Sequence, residues 1–167
     1  GVLTGDRLTG FGLGGDTVIS GREIEGGIAF KSLEELNIEL GTGNDTLIIE
    51  DTHAGKTTVK TGEGEDRIAV ANTSGTLNIG GDAGDDTLRI ATGDLSGSVA
   101  DSEGRLETIM GHLLFDGGVG NDRMTVDDRN DSSAEVGTLT EDALTGYGFG
   151  SIAEVQTLTV IGQSGFY

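Results

Sequence analysis

Apolar residues fall in pairs two positions apart, each pair short and set off by polar, glycine-rich stretches. Leu36 and Ile38, Leu47 and Ile49, Ile68 and Val70, Leu77 and Ile79, Leu88 and Ile90, Leu113 and Phe115, and Met124 and Val126 all keep this spacing. Residues two apart on an extended chain share a face, so each pair predicts a short strand with one apolar side. Even "KSLEELNIEL" (31–40), the most helix-like stretch, alternates toward its end and reads as the approach to a strand. The pattern is that of an all-β chain.

The strands keep a fixed phase to a second pattern, Gly-x-Asp followed two places on by an apolar residue. It occurs in "GLGGDTVI" (12–19), "GTGNDTLII" (41–49), "GEGEDRIAV" (62–70), "GDAGDDTLRI" (81–90) and "GGVGNDRMTV" (117–126). Its aspartates are Asp16, Asp45, Asp66, Asp86 and Asp122, with spacings of 29, 21, 20 and 36. Counting from Gly43, Gly64, Gly84 and Gly120, the fourth and sixth following positions are Leu47/Ile49, Ile68/Val70, Leu88/Ile90 and Met124/Val126. The fifth preceding positions are Ile38, Val59, Ile79 and Phe115, and the seventh are Leu36, Thr57, Leu77 and Leu113. Val160 and Leu158 hold the same slots before Gly165. Each unit is therefore a strand, an acidic glycine turn and a second strand.

Between units lie turns of another kind, "EDTHAGK" (50–56), "ANTSG" (71–75), "ATGDLSG" (91–97) and "DDRNDSSAE" (127–135), rich in residues that suit tight turns. Two strands and two turns in about 20 residues predict one coil of a right-handed parallel β-solenoid, or β-roll, with two sheets. Coils stacked about 4.8 Å apart would lay like positions into columns. The outer spacings suggest an insertion and a skipped motif, and "GGDAGDDTL" reads as carrying one extra residue. A longer period is superposed: "GVLTGDRLTGFGL" (1–13) matches "GTLTEDALTGYGF" (137–149) at 8 of 13 places, and "SLEELNIELGTG" (32–43) resembles "EVQTLTVIGQSG" (154–165). Residues 1–167 thus read as one solenoid domain, slightly more than one super-repeat, excised from a longer array.

Composition narrows the class. The 167 residues include 31 Gly and no Pro, Cys or Trp, with 29 acids against 10 bases and a formal charge of −19. Such charge would suit a disordered chain, but an apolar share of 34% placed at regular intervals does not. The absence of Cys removes disulfides and thiolate metal sites, and no apolar run is long enough to span a bilayer. The acidity argues against nucleic acid and anionic membranes as partners, and for cations or a protein kept soluble by repulsion.

Glycine leaves carbonyl oxygens unshielded, and Asp adds a charged oxygen at a fixed place. Stacked turns of this kind can build an oxygen cage of six to eight ligands, which calcium prefers over magnesium. Here the residues resemble the calcium-binding repeats of RTX (haemolysin-type) proteins, whose nonapeptide is Gly-Gly-x-Gly-x-Asp-x-apolar-x. "GGVGNDRMT" (117–125) fits it at every defined place, and "GTGNDTLI", "GEGEDRIA" and "GLGGDTVI" fit from the second glycine. RTX repeats carry a motif at both turns of a coil, whereas this chain carries it at one, so calcium is expected along one edge. The wider pattern also resembles tandem segments of very large secreted bacterial surface proteins.

The resemblance implies Ca2+ as ligand, an extracellular or cell-surface location, and a structural or adhesive role, while the exposed ends of a solenoid and the super-repeat make end-to-end self-association into filaments an expectation. Asp45, Asp66 and Asp86 are the leading candidate ligands, with carbonyls of Gly41, Gly43, Gly62, Gly64, Gly81 and Gly84 completing the cages. Asn44, Asp16, Gly118, Gly120 and Asp122 extend the set. The other reading of the same turns is metal-free, because Asx side chains cap turns on their own. "DDRNDSS" (127–133) is either a second kind of site or a solvated turn.

Catalytic signals are sparse. His53 and His112 are the only imidazoles and sit in unlike segments, no Gly-x-Ser-x-Gly elbow occurs, and "GFGLGG" (10–15) and "GYGFG" (146–150) lack the Lys of a phosphate loop. The alternative to a structural segment is a β-solenoid enzyme acting on polysaccharide, which would need Lys60, Arg67 and Arg89 on one outer face beside paired acids. Ice binding would need Thr-x-Thr on successive coils, of which only "KTTVKT" and "TLTV" give a hint.

Overall fold

The computed structural model describes residues 1–91, 104–149 and the backbone of 158–161. Every described element is a strand. The central ones are β6 (Glu35–Glu39), β7 (Thr46–Ile49), β8 (Lys56–Lys60), β9 (Arg67–Val70), β10 (Thr76–Gly80), β11 (Thr87–Ile90), β12 (Leu113–Asp116) and β13 (Arg123–Val126). Along them the chain alternates between two sheets. β7, β9, β11 and β13 pair in parallel in one, and β6, β8, β10 and β12 in the other, which β16 (Leu158–Ile161) extends.

The registers reproduce the columns expected from sequence. Leu47, Ile68, Leu88 and Met124 are successive partners, as are Ile49, Val70, Ile90 and Val126. Across the molecule Ile38, Val59, Ile79 and Phe115 align, as do Leu36, Thr57, Leu77 and Leu113, and Val160 follows Phe115. Side chains of both columns in both sheets meet in one core, where Leu47, Ile49, Val59, Val70, Leu77 and Leu88 are wholly buried. Thr57 is the polar member, and its hydroxyl lies 3.2 Å from His53 Nδ1. Small β-branched and Leu side chains fill this layer, so the fold needs no tryptophan.

The structure departs from the expected architecture at both ends. β1 (Val2–Leu3) pairs in parallel with β7 and antiparallel with β2 (Arg7–Thr9), which continues antiparallel to β5 (Ile28–Ala29). At the other end β14 (Thr138–Leu139) is antiparallel to β15 (Ala143–Thr145), and β15 to β16. Among the described residues each large sheet thus has seven strands, and neither closes on itself. A third, two-stranded sheet, β3 (Thr17–Ile19) with β4 (Arg22–Ile24), fills the gap that the sequence marks with its first long spacing.

The spacing of 36 is not a skipped motif. β13 pairs directly with β11 and β12 with β10, so one long connection sits within a single step. In that connection Thr73 bridges Ile109, and Gly111 N–H reaches Thr73 Oγ1 at 3.0 Å. Residues 106–111 therefore take the place expected of "ATGDLSG" (91–97), which beyond Ala91 lies outside the described residues, as does Gly165.

The long sequence repeat is also a repeat of structure. In both hairpins a Thr hydroxyl reaches the carbonyl three residues on, Thr4 to Arg7 at 3.3 Å and Thr140 to Ala143 at 3.2 Å. Phe11 (φ 49°) and Tyr147 (φ 54°) adopt left-handed backbone, and each ring lies over a glycine, Gly1 or Gly137, where a Cβ would overlap it.

Candidate functional site: the stacked acidic turns

Four turns stack at one edge. Thr42, Glu63, Ala83 and Val119 bridge in parallel, one above the next. Gly43 N–H donates to Glu63 O at 2.7 Å, Gly64 N–H to Ala83 O at 2.9 Å and Gly84 N–H to Val119 O at 2.9 Å. The glycines are required by the stacking itself: Gly84 has φ +135°, and a Cβ on it would overlap the carbonyl oxygen of Gly64. Only glycine enters that conformation without penalty.

The register corrects two expectations from sequence. Because Ala83 aligns with Glu63 and Val119, Asp82 stands where Gly62 and Gly118 stand, at φ +61°. The turn "GDAGDD" has no extra residue; an aspartate replaces a glycine in left-handed backbone, a conformation Asp tolerates better than most. Gly81 consequently sits one place before the position expected of it and corresponds to Gly117.

The motif aspartates form a ladder. Asp45 N–H donates to Asp66 Oδ1 at 2.7 Å, Asp66 N–H to Asp86 Oδ1 at 2.9 Å and Asp86 N–H to Asp122 Oδ1 at 3.0 Å. Beside it, Glu65 N–H reaches Asn44 Oδ1 at 3.0 Å and Asn121 N–H reaches Asp85 Oδ1 at 2.9 Å. Asp66 and Asp86 are 1% exposed. Their second oxygens, Oδ2, are buried and receive no hydrogen bond. Burial pushes the Asp86 carboxyl up to about 6; the Asp66 N–H bond opposes this, while the Asp66, Asp122 and Asp85 carboxylates add to it.

The candidate ligands divide on this geometry. Asp45, Asp66, Asp86 and Asp122 share one column, and Asn44 lies beside it. Carbonyls of Gly43, Gly64 and Gly84 face the Cα of Gly64, Gly84 and Gly120 in the next turn. Gly41 O and Gly62 O instead accept ladder bonds from Glu63 and Ala83 N–H at 3.2 and 3.0 Å, and Gly81 O accepts the Thr61 hydroxyl at 2.9 Å. Asp16 does not join the column. Its Oδ1 accepts Gly26 N–H at 2.8 Å beside the β3–β4 hairpin, because no acidic turn stacks against it.

The opposite edge is tied by hydroxyls and one carboxylate. Asp51 Oδ1 accepts Ser74 N–H at 3.0 Å, and Thr52 Oγ1 accepts Gly75 N–H at 3.1 Å. Asp127, in the last acidic segment, is buried between Arg129 at 2.8 Å and Arg89 at 3.6 Å. Asp128, Asp131 and Glu135 bring carboxylate oxygens within 4.8 Å of one another. There burial, then Asp131, Glu135, Glu107 and Asp127, push Asp128 up to about 6, whereas the Ser133 N–H and hydroxyl hold Asp131 below the usual range. The sequence flags this segment through its acids but does not mark Glu135 as a member.

Of the bases that the enzyme reading calls for, Arg67 on β9 and Arg89 on β11 stand on adjacent strands of one sheet, and Lys60, on β8 of the other, does not join them. The outward column of β6, β8 and β10 reads Asn37, Thr58, Asn78, which is not a threonine face. No described helix is long and apolar enough to cross a membrane. No protein-family model, curated protein or solved structure matches the chain.

Proposed function

We propose that the chain is a calcium-binding structural segment, a right-handed parallel β-solenoid of about 20 residues per coil within a large extracellular bacterial surface or filament protein. The observation that carries this reading is the pair of buried, hydrogen-bond-free Oδ2 atoms of Asp66 and Asp86, one above the other in a column of like charge. A buried carboxylate is costly unless it is paired, takes up a proton or coordinates a metal. A flexible cage of six to eight oxygen donors suits calcium better than magnesium, which demands a tighter octahedron. The Oδ1 atoms shape the turns and the Oδ2 atoms hold the ion, so the capping and metal-binding readings describe different oxygens of the same side chains. The super-repeat and the net charge of −19 support an extended surface segment that repulsion keeps soluble.

Titration calorimetry and thermal melts test the reading. Calcium is expected to give binding heat and raise Tm relative to EDTA, and Asp66→Asn/Asp86→Asn is expected to abolish both responses. Wild-type chain with no heat and an identical melt in EDTA would refute it.

A further inference from the structure

The two copies of the super-repeat differ by an insertion. Residues 14–31 separate the matched stretches in the first copy, and only residues 150–153 separate them in the second. The insertion carries the β3–β4 hairpin, whose strand residues are all exposed. Its base is pinned. Asp16 Oδ1 accepts Gly26 N–H at 2.8 Å, and Gly27 N–H donates to Gly14 O at 2.9 Å. Arg7 on β2 donates to Gly26 O at 2.9 Å and pairs with Glu25 at 2.6 Å. In the second copy Ala143 stands in the place of Arg7, so the anchoring arginine accompanies the insertion.

Between this hairpin and the β2–β5 pair lies a cleft of about 670 Å3, with Arg7, Arg22, Glu23, Ile24 and Ala29 in its walls. Sites for small ligands run roughly from 300 to 1,000 Å3. The two guanidiniums have different tasks. Arg7 is engaged by Gly26 and Glu25, whereas the Arg22 side chain has no ion pair or hydrogen bond among the described residues. We infer that the cleft binds a carboxylated sugar. Arg22 offers the fork of donors that holds a carboxylate through two parallel bonds. Ile24, 44% exposed, and Ala29 offer an apolar surface to the C–H face of a sugar ring, and the Glu23 carboxylate accepts hydrogens from its hydroxyls. A simple carboxylate would use the guanidinium alone, and a neutral sugar would leave it without a counter-charge. The net charge of −19 does not forbid an anion here, because salt at 0.15 M screens charges beyond about 8 Å and the side chains of the cleft decide. The inference goes beyond the calcium reading and does not rest on it, and the walls of the cleft all lie within residues 7–29.

The full chain, titrated at physiological salt in EDTA so that no calcium bridges sugar to the acidic turns, tests this with three probes: trigalacturonate, neutral maltotriose and acetyl-alanine. By nuclear magnetic resonance, trigalacturonate is expected to give saturable shifts at the amides of Arg22, Glu23, Ile24 and Ala29. Maltotriose and acetyl-alanine are expected to bind at least about tenfold more weakly, as loss of a hydrogen-bonded charge contact requires. Arg22→Ala, an exposed change expected to keep the wild-type melt, should weaken trigalacturonate by about tenfold or more. Arg22→Lys, which keeps the charge without the fork, should fall between the two. Shifts absent from the cleft, or undiminished in Arg22→Ala, overturn the inference. Equal binding of maltotriose overturns the carboxylate, and equal binding of acetyl-alanine overturns the sugar. A chain that binds calcium but no trigalacturonate loses this inference alone.

Discussion

Asp86 Oδ1 accepts the backbone N–H of Asp66 at 2.9 Å, while the Oδ2 of the same carboxylate is buried with no donor. One side chain thus completes the neighbouring turn and leaves a charge that the fold does not neutralise. Asp86→Asn keeps the accepting oxygen and removes the charge. Without calcium its Tm at neutral pH is expected to exceed that of wild type, and its calcium increment is expected to vanish. Asp86→Ala also strands the buried Asp66 N–H, so urea titrations should place it about 1–3 kcal/mol below Asp86→Asn.

Acid should stabilise the calcium-free chain. The carboxyls of Asp86 and Asp128 are both raised from 3.8 to about 6, so the folded state holds protons that the unfolded state has released. Stability from such groups is complete below the unfolded value and is lost as pH rises through the folded one. Melts in EDTA should therefore show Tm rising as pH falls from about 7 to about 5. Saturating calcium, which competes with protons for the same oxygens, should flatten or invert that slope. A calcium-free Tm that falls over the same interval would contradict the buried-carboxylate account.

The glycines of the acidic turns should not be equivalent. Gly84→Ala puts a Cβ into Gly64 O and forces alanine to φ +135°, whereas a Cβ at Gly41 meets nothing within 4 Å. Thermal or urea unfolding should show a loss of at least about 1–3 kcal/mol for Gly84→Ala. Gly41→Ala should stay within about 0.5 kcal/mol of wild type.

The shared core makes a parallel demand. Leu88 is wholly buried among both sheets, and Val18 on the β3–β4 hairpin is 67% exposed. Leu88→Ala should cost about 2–5 kcal/mol in urea unfolding, and Val18→Ala about 0.5 kcal/mol or less.

The inner columns are legible in the sequence because two independent periodicities agree on them. Alternation picks out Leu47 and Ile49, and the glycine-aspartate phase by itself aligns them with Ile68 and Val70. The acidic turns are legible for the same reason, but which oxygens remain unengaged is not, since composition does not say that Gly41 O meets Glu63 N–H. Asp82 misleads because glycine is not the only residue that a left-handed position accepts. Asp16 misleads because the motif is local while stacking is not, and a turn with no neighbour takes another partner. The hairpins are visible as repeated sequence, yet their antiparallel pairing hides in strands of two or three residues, too short for alternation to register.

The aspartate ladder also gives the molecule a direction in time. The first three of the four stacked turns each have the aspartate N–H satisfied by a carboxylate that lies 21, 20 or 36 residues further along the chain. A turn emerging from a ribosome, amino end first, cannot be finished until its successor has followed it out. Completion therefore trails emergence by one whole unit, and the most recently delivered turn is always the unfinished one.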